Sequence, residues 1–379
     1  MSCRITKLLP SAAALALMAG TAAAQTYTVT DLTPSAGNAT ATGLIPGLAG
    51  GYSSPAINGS SARALAWDSA GEVDLHPSAL VDDPVTGLAG RSYIHDVAAG
   101  IQVGAGIGIP TGNRQMPVVW RNAADSAALL PIPFVNAGGV AYATDGAQIV
   151  GYATGMNRDG TTLGTSHAVV WDAATLTGTD LGDGGSGAIA YDVRGGMQAG
   201  MVIKGSASAA VWRGTARSLV VLTPKNSVLS VASATDGVRQ AGYAGYDIRV
   251  RVEAAKGNKD QRFNYATVWT GTPESALNIH PYPANMMPNV NFTNSYALAM
   301  NGRWVVGYAG DQNKFSTPAY SHAIVWDADY SSIDLNAFLP AGFVGAQATG
   351  VDENGNICGY MSKADGTRHA VVWTRNAGA

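Results

Sequence analysis

The chain has little charge and almost no cysteine. Only 13% of its 379 residues are charged, against about 25% in typical soluble proteins, and the formal net charge is −3. Nucleic-acid binding needs a basic face, so this balance argues against a nucleic-acid partner. Cys3 lies in a segment that we expect to be removed, which leaves Cys358 alone. We therefore predict no internal disulfide and a small buried thiol at Cys358.

Long apolar runs are also missing, apart from a short one near the N-terminus. Arg4 and Lys7 precede the apolar stretch Leu8–Ala19, and the small residues Ala22–Ala24 follow it. This order predicts a signal peptide over residues 1–24, and the stretch is too short to span about 30 Å of hydrocarbon. We expect an exported mature chain, secreted or periplasmic, with no transmembrane segment. Loss of the two cations would change its formal charge from −3 to −5.

Seven of the eight tryptophans end the same kind of short apolar strand. In Ala168-Val169-Val170-Trp171, for example, bulky and smaller side chains alternate, as expected for a strand between two packed faces. The eighth, Trp304, falls in a different strand. The spacings between the seven are 53, 51, 41, 57, 57 and 47 residues, which indicates an internal repeat. The seven are Trp67, Trp120, Trp171, Trp212, Trp269, Trp326 and Trp373.

The repeat unit contains four strands, here called a to d. A small-residue strand a leads to a tight turn such as Asp145-Gly146, and strand b ends in glycine, as in Ile149–Tyr152. Strand c carries the tryptophan, and strand d follows, as in Thr179–Leu181. We interpret the strand-b glycine as a place where a neighbouring copy's tryptophan approaches the backbone. The copies span residues 38–80, 92–133, 139–183, 188–224, 230–281, 295–338 and 346–376.

The two ends of the mature chain complement each other. The last copy stops after Trp373 and lacks a strand d, whereas Tyr27–Pro34 resembles an isolated strand d. A closed ring of sheets removes exposed edges, so the N-terminal strand can complete the last copy. We predict one all-β domain over residues 25–379, a seven-bladed β-propeller of four-stranded antiparallel blades, in which Val29 or Leu32 pairs with residues 370–374.

Three copies begin strand c with histidine and alanine, as His167-Ala168-Val169, His322-Ala323-Ile324 and His369-Ala370-Val371. These segments resemble the HAF extracellular repeat family, named for a His-Ala-Phe strand beside a Val-Gly-Tyr-type strand and an Asp-Leu strand. The resemblance covers residues 27–376 and implies export and a propeller-like fold, but no particular reaction. This chain has Val or Ile where the family has Phe. The histidine is replaced in the other copies by Arg63, Met116, Ser208 and Tyr265.

Polar residues in the innermost strands are the candidate site. Recurring histidines on different blades spread round a ring and cannot converge on one ion, so we predict neither a metal nor a cofactor. His95 and Asp96 lie in strand a of the second copy and can face the central channel, as can Tyr142, Tyr191 and Asp192 in comparable strands. Aromatic and carboxylate groups there could bind a sugar or act as acid and base. The alternative interpretation is simple packing of the channel.

The b–c and d–a connections are long and share one side of the disc, here called the loop face; the a–b and c–d turns share the turn face. Binding residues commonly lie on such loops. In the fifth copy, charged and apolar residues alternate beyond strand b, which predicts a projecting hairpin with a turn at 256–259 and Ile248, Val250 and Val252 on its inner side. Arg249 and Arg251 make it a candidate contact for an anionic surface or polysaccharide, the alternative being a solvated hairpin. Its other cations are Lys256, Lys259 and Arg262.

Two functions remain open at this point. A nucleophile-elbow motif and a phosphate-binding loop are absent from the sequence. The first function is therefore a non-catalytic extracellular binding protein, a monomer whose partner is a glycan or a cell-surface component. The second is a secreted carbohydrate-active enzyme, a lyase or glycosidase, with a site at the central channel, which would need two convergent charged groups.

Overall fold

The computed structural model describes residues 25–33, 38–54, 61–82, 85, 89–98, 100–156, 165–182, 185–252, 257–281, 293–311 and 321–376. The predicted signal peptide, residues 1–24, lies outside them. They form strands grouped into seven four-stranded antiparallel sheets, and each sheet packs against the next, with the first against the seventh. This confirms the seven-bladed propeller. No helix in the described part of the chain is long and apolar enough to cross a membrane.

Blades 1 to 3 follow chain order from the channel outwards. Blade 1 consists of β2 (Asn38–Ile45), β3 (Leu48–Ser54), β4 (Arg63–Asp68) and β5 (Gly71–Asp74). Blade 2 consists of β6 (Arg91–Ala98), β7 (Ile101–Ile107), β8 (Met116–Trp120) and β9 (Ala128–Leu129). Blade 3 consists of β10 (Val135–Thr144), β11 (Gln148–Met156), β12 (His167–Asp172) and β13 (Gly178–Asp180).

Blades 4 to 6 repeat the same order. Blade 4 consists of β14 (Ala188–Arg194), β15 (Met197–Lys204), β16 (Ser206–Trp212) and β17 (Val220–Val221). Blade 5 consists of β18 (Leu229–Thr235), β19 (Gln240–Val252), β20 (Gly257–Trp269) and β21 (Leu277–Asn278). Blade 6 consists of β22 (Asn294–Asn301), β23 (Trp304–Gly310), β24 (Ser321–Trp326) and β25 (Ser332–Asp334). Short 3₁₀ turns occur at Ile109–Thr111, Ala124–Ser126, Ala216–Ser218, Pro273–Ser275 and Leu335–Phe338.

The seventh blade joins the two ends of the chain. It consists of β26 (Phe343–Val351), β27 (Ile357–Lys363), β28 (Arg368–Arg375) and the N-terminal β1 (Tyr27–Asp31). Val29 pairs with Trp373, and the backbone N–H of Leu32 donates to the carbonyl of Ala370 at 2.8 Å. The predicted closure by the N-terminal strand is therefore confirmed, and it covers the outer edge of β28.

A tryptophan from strand c fills each interface between blades. Trp171 of blade 3 packs with Val103, Val119 and Leu130 of blade 2, and its indole N–H donates to the carbonyl of Pro131 at 2.7 Å. The corresponding clusters recur at all seven interfaces, including that between blades 7 and 1. All seven tryptophans are at most 5% exposed, as their predicted structural role requires.

The histidine of the repeat forms a clamp with the aspartate of strand d. Where strand c offers a basic group, the strand-d residue that pairs with the second residue after it is an aspartate, and elsewhere it is not. The pairs are His167–Asp180 at 3.0 Å, His322–Asp334 at 2.7 Å, His369–Asp31 at 2.7 Å and Arg63–Asp74 at 2.6 Å. Met116, Ser208 and Tyr265 are instead matched by Leu129, Val221 and Asn278. The clamps support a structural role for these histidines.

Every strand a contains a β-bulge, and the strand-b glycine lies opposite it. At Gly151, an added Cβ would lie 1.8 Å from the carbonyl oxygen of Val140 in the same blade, so only glycine fits there. Our interpretation that this glycine admits a neighbouring tryptophan is therefore wrong, because the atom that it accommodates belongs to its own blade. The same contact, at 1.8–2.0 Å, recurs at Gly51, Gly104, Gly200, Gly242, Gly307 and Gly359.

The predicted hairpin of blade 5 is confirmed, with two corrections. β19 and β20 pair along their whole length. Val252 pairs with Gly257, so β20 begins within the predicted turn 256–259, because the continuous register extends the strand pairing that far. Ile248 is 39% exposed, so it does not lie on a sheltered inner side as predicted. The reason is that its neighbour Asp247 is exposed as well, and both faces of the hairpin meet solvent there. The side chains of residues 249–260 lie outside the described ones.

Replacing Trp171 by alanine should lower the free energy of unfolding by about 3–5 kcal/mol, the usual cost of deleting a large buried aromatic side chain. Urea denaturation would measure it. Leu277→Ala removes a side chain that is 48% exposed and serves as the control, with an expected change below about 0.5 kcal/mol. Equal effects of the two substitutions would contradict the role given to Trp171.

Candidate binding site in the central channel

The extra residue at each bulge lines the central channel. A bulge adds one residue to its strand and turns that side chain away from the regular alternation, and all seven of these residues are half-buried. Together they form what we call the ring. Its members, from blade 1 to blade 7, are Thr42, His95, Tyr142, Tyr191, Ser233, Leu298 and Thr349.

The ring separates two cavities. One, of about 320 Å³, extends from the ring towards the loop face, where Val231 and Tyr243 complete its wall. The other, of about 180 Å³, extends towards the turn face and reaches Asp96 and Asp192. Among the residues that the structure describes, only the seven ring residues line both. We call the first cavity the mouth and the second the acidic cavity.

One side of the ring is aromatic and the other is small. The imidazole of His95 and the phenol of Tyr142 have centroids 5.4 Å apart, and the phenols of Tyr142 and Tyr191 have centroids 5.3 Å apart. On blades 7 and 1 the hydroxyls of Thr349 and Thr42 each donate to a carbonyl of the next blade at 2.7 Å. The ring is therefore held in place by contacts between neighbouring blades.

Further tyrosines contact those that line the mouth. Tyr152 lies 5.9 Å from Tyr142, and Tyr296 lies 4.8 Å from Tyr243, measured between the centroids of the aromatic rings. The amide of Asn264 donates to the hydroxyl of Tyr296 at 2.8 Å. In contrast, the structure records no hydrogen bond within the described residues for the hydroxyls of Tyr142, Tyr152, Tyr191 and Tyr243. Such hydroxyls can donate to and accept from a ligand.

The described lining of the mouth carries no charge at neutral pH. The part of its lining that the structure describes contains no aspartate, glutamate, lysine or arginine. Burial lowers the pKa of His95 to about 4, which keeps its imidazole neutral. Burial also raises the pKa of Tyr142 to about 12 and raises that of Tyr191, so both phenols stay protonated.

Asp96 and Asp192 face the acidic cavity and join neighbouring blades. One oxygen of Asp96 accepts the backbone N–H of Thr144 on blade 3 at 2.9 Å. Asp192 likewise accepts that of Thr235 on blade 5 at 2.7 Å, and its other oxygen accepts that of Val193. Burial raises the pKa of Asp96 to about 7 and that of Asp192 to about 6, against these hydrogen bonds.

The structure brings five of the predicted site residues together. His95, Asp96, Tyr142, Tyr191 and Asp192 all line the acidic cavity, and three of them also line the mouth. Arg249 and Arg251 belong to the hairpin of blade 5 instead, and their side chains lie outside the described ones. In the same hairpin Arg262 pairs with Asp247 at 2.9 Å.

Sequence reasoning missed four ring members, together with Tyr243, the strand-b tyrosine that lines the mouth. A signal for the ring exists, because each member stands two or three residues before the last residue of its strand a. Tyr142 stands two residues before Thr144, and Tyr191 stands three residues before Arg194. The missed members are Thr42, Ser233, Leu298 and Thr349. No group of three or more metal-binding side chains occurs among the residues that the structure describes.

No family model matches the chain, and no curated protein sequence matches it. Solved structures do match over most of its length. The β-propeller domain of the Trilobed protease from Pyrococcus furiosus, which has an open velcro topology, is 10% identical at a TM-score of 0.49, covering 90% of this chain and 97% of that chain. TolB from Acinetobacter baumannii is 12% identical at a TM-score of 0.40, covering 87% and 64%. Likenesses at these identities concern the fold alone.

Replacing Asp96 by asparagine should flatten the pH dependence of stability. An unfolded aspartate titrates near pH 3.9, whereas burial raises the folded pKa of Asp96 to about 7. The folded chain therefore binds a proton in this window that the unfolded chain has released, so the stability of the wild-type protein should fall as pH rises through it.

The measurement is urea denaturation at several pH values between about 4 and about 8. The difference in free energy of unfolding between Asp96→Asn and the wild type should shift in favour of the variant as pH rises. The exposed Asp125, changed to asparagine, is the control and should show a constant difference. A constant difference for Asp96→Asn as well would show that Asp96 is not protonated by burial.

Proposed function

We propose that this chain is an exported propeller of the HAF repeat type that binds its ligand in the mouth of the central channel. The observation that carries the proposal is the lining of the mouth. Aromatic rings and unpaired tyrosine hydroxyls converge there on one concave space, while the remaining ring members are small or apolar. Concave sites with aromatic walls and a few polar groups are the usual form of small-molecule binding sites.

The scaffold around the mouth suits binding. The strands that hold the ring are closed by β1 and packed by the seven tryptophans, so the ring residues are fixed before a ligand arrives. Preorganised side chains lose little conformational entropy on binding, which favours affinity. The secreted or periplasmic location belongs to the proposal and follows from the predicted signal peptide.

The alternative, a carbohydrate-active enzyme at the channel, has less support from the site. A glycosidase needs two carboxyl groups on either side of one bond. Asp96 and Asp192 accept backbone hydrogen bonds from neighbouring blades, and they line the acidic cavity but not the mouth. Their contacts explain both residues as links between blades, which favours binding without catalysis at the mouth.

Filling the mouth should abolish ligand binding. Ser233→Tyr adds an aromatic side chain to the ring next to Tyr191 and should occupy part of the cavity. The mature chain, residues 25–379, would be screened against mixed glycan and peptide arrays, and each hit would be tested with the variant. We expect binding to be lost while the thermal unfolding temperature stays close to that of the wild type.

The control is Glu353→Gln, an exposed residue that lines the acidic cavity. This variant should bind the hits as the wild type does. Hits that bind the Ser233→Tyr variant with unchanged affinity would place the ligand elsewhere and refute the proposal.

A further inference from the structure

We infer that the ligand of the mouth is an uncharged saccharide whose chain end enters the cavity and stops at the ring. This inference rests on the proposed function and adds the chemical class of the ligand and its mode of entry. It is carried by three features of the described residues: the neutrality of the mouth, the kind of groups that line it, and the ring that forms its floor.

The first feature is charge. A buried anionic or cationic ligand group requires a partner of opposite charge or a dense set of hydrogen bonds. The mouth lacks charged side chains in its described lining, and His95 is neutral because burial lowers its pKa to about 4. The carboxylates of the channel lie on the other side of the ring, in the acidic cavity. A neutral ligand is therefore favoured over an acidic glycan or a charged peptide.

The second feature is the match between the groups. A sugar ring presents an apolar face of C–H groups and an edge of hydroxyls, each of which can donate and accept. Aromatic rings offer flat apolar surface, and phenol hydroxyls can likewise donate and accept. Tyr142, Tyr191 and Tyr243 combine both properties around one cavity. An extended peptide would instead need free backbone groups along a strand. On the innermost strands, however, the carbonyls of Ile94 and Ala41 already accept hydrogen bonds from the hydroxyls of Thr42 and Thr349.

The third feature is the floor. Within the described part of the chain, the two cavities share only the ring residues as lining. The aromatic members of the ring touch across blades 2 to 4. A polymer that crossed the surface would leave the mouth unfilled, whereas a chain end can fill it down to His95. The mouth volume of about 320 Å³ lies at the small end of the roughly 300–1,000 Å³ range of ligand sites, which suits one or two terminal sugar units.

The experiment titrates the mature chain by calorimetry with ladders of neutral oligosaccharides. The probes are glucose chains with α-1,4 or β-1,4 linkages and β-1,4-linked N-acetylglucosamine chains, and oligogalacturonides serve as the anionic comparison. We expect one neutral ladder to bind, with an affinity that stops rising after the first few units. A bulky aromatic group attached to one chain end should abolish binding, and the same group on the other end should not.

Two variants test the contacts without changing the packing. Tyr142→Phe and Tyr191→Phe each remove only a hydroxyl and should weaken binding roughly 2- to 12-fold, the equivalent of one hydrogen bond. Tyr330→Phe is the matched control, because that hydroxyl contacts Arg239 at 3.1 Å on the turn face; it should leave the affinity unchanged. An equal loss in all three variants would overturn the inference.

The outcomes separate this inference from the proposed function. Binding of oligogalacturonides or peptides alone, lost in Ser233→Tyr, would overturn the inference and leave the proposed function standing. A neutral saccharide that binds Ser233→Tyr normally would overturn both. Neutral saccharides that bind equally well with either chain end blocked would overturn end-on entry, and failure of every neutral ladder to bind would overturn the assignment of the ligand class.

Discussion

The close approach of strand b to the bulge in strand a is the constraint on which the channel depends. In every blade the carbonyl that precedes the bulge points at a strand-b glycine, where a Cβ would lie at most 2.0 Å away. The bulge adds one residue to the innermost strand and changes which side chains face the channel. One backbone requirement, repeated seven times, thus builds the ring, and the ring divides the channel into the mouth and the acidic cavity.

The blades could be predicted from the sequence, whereas most of the ring could not. Tryptophans such as Trp171 mark strand c because a bulky group must fill each interface, and the unmatched strands at the two chain ends imply closure. A bulge is marked only indirectly, by the strand-b glycine opposite it and by its distance from the end of strand a. It also shifts the two-residue alternation by one, which reverses the expected face of each later residue. His95 and Tyr142 were found because they are conspicuous polar or aromatic residues, while Thr42 and Leu298 are not.

The two sides of the ring differ in electrostatics as well as in shape. On the loop face the phenols of Tyr142 and Tyr191 stay protonated and the imidazole of His95 stays neutral. On the turn face Asp96 and Asp192 accept hydrogen bonds from the backbone of neighbouring blades. Burial raises the pKa values of both carboxyl groups. The carboxylates therefore link neighbouring blades on the turn side of the ring, and we assign the proposed ligand to the tyrosines that line the mouth.

Cysteine labelling around the bulge of blade 5 tests the central claim most directly. Single substitutions at Ala232, Ser233 and Ala234 would be treated with a maleimide in the folded mature chain. Cys358 should contribute little background, since it is buried and burial raises its pKa to about 12. Labelling should be rapid only at Ser233→Cys, because Ala232 and Ala234 are at most 1% exposed. Rapid labelling at either flanking position, with Ser233→Cys protected, would contradict the bulge and the ring built on it.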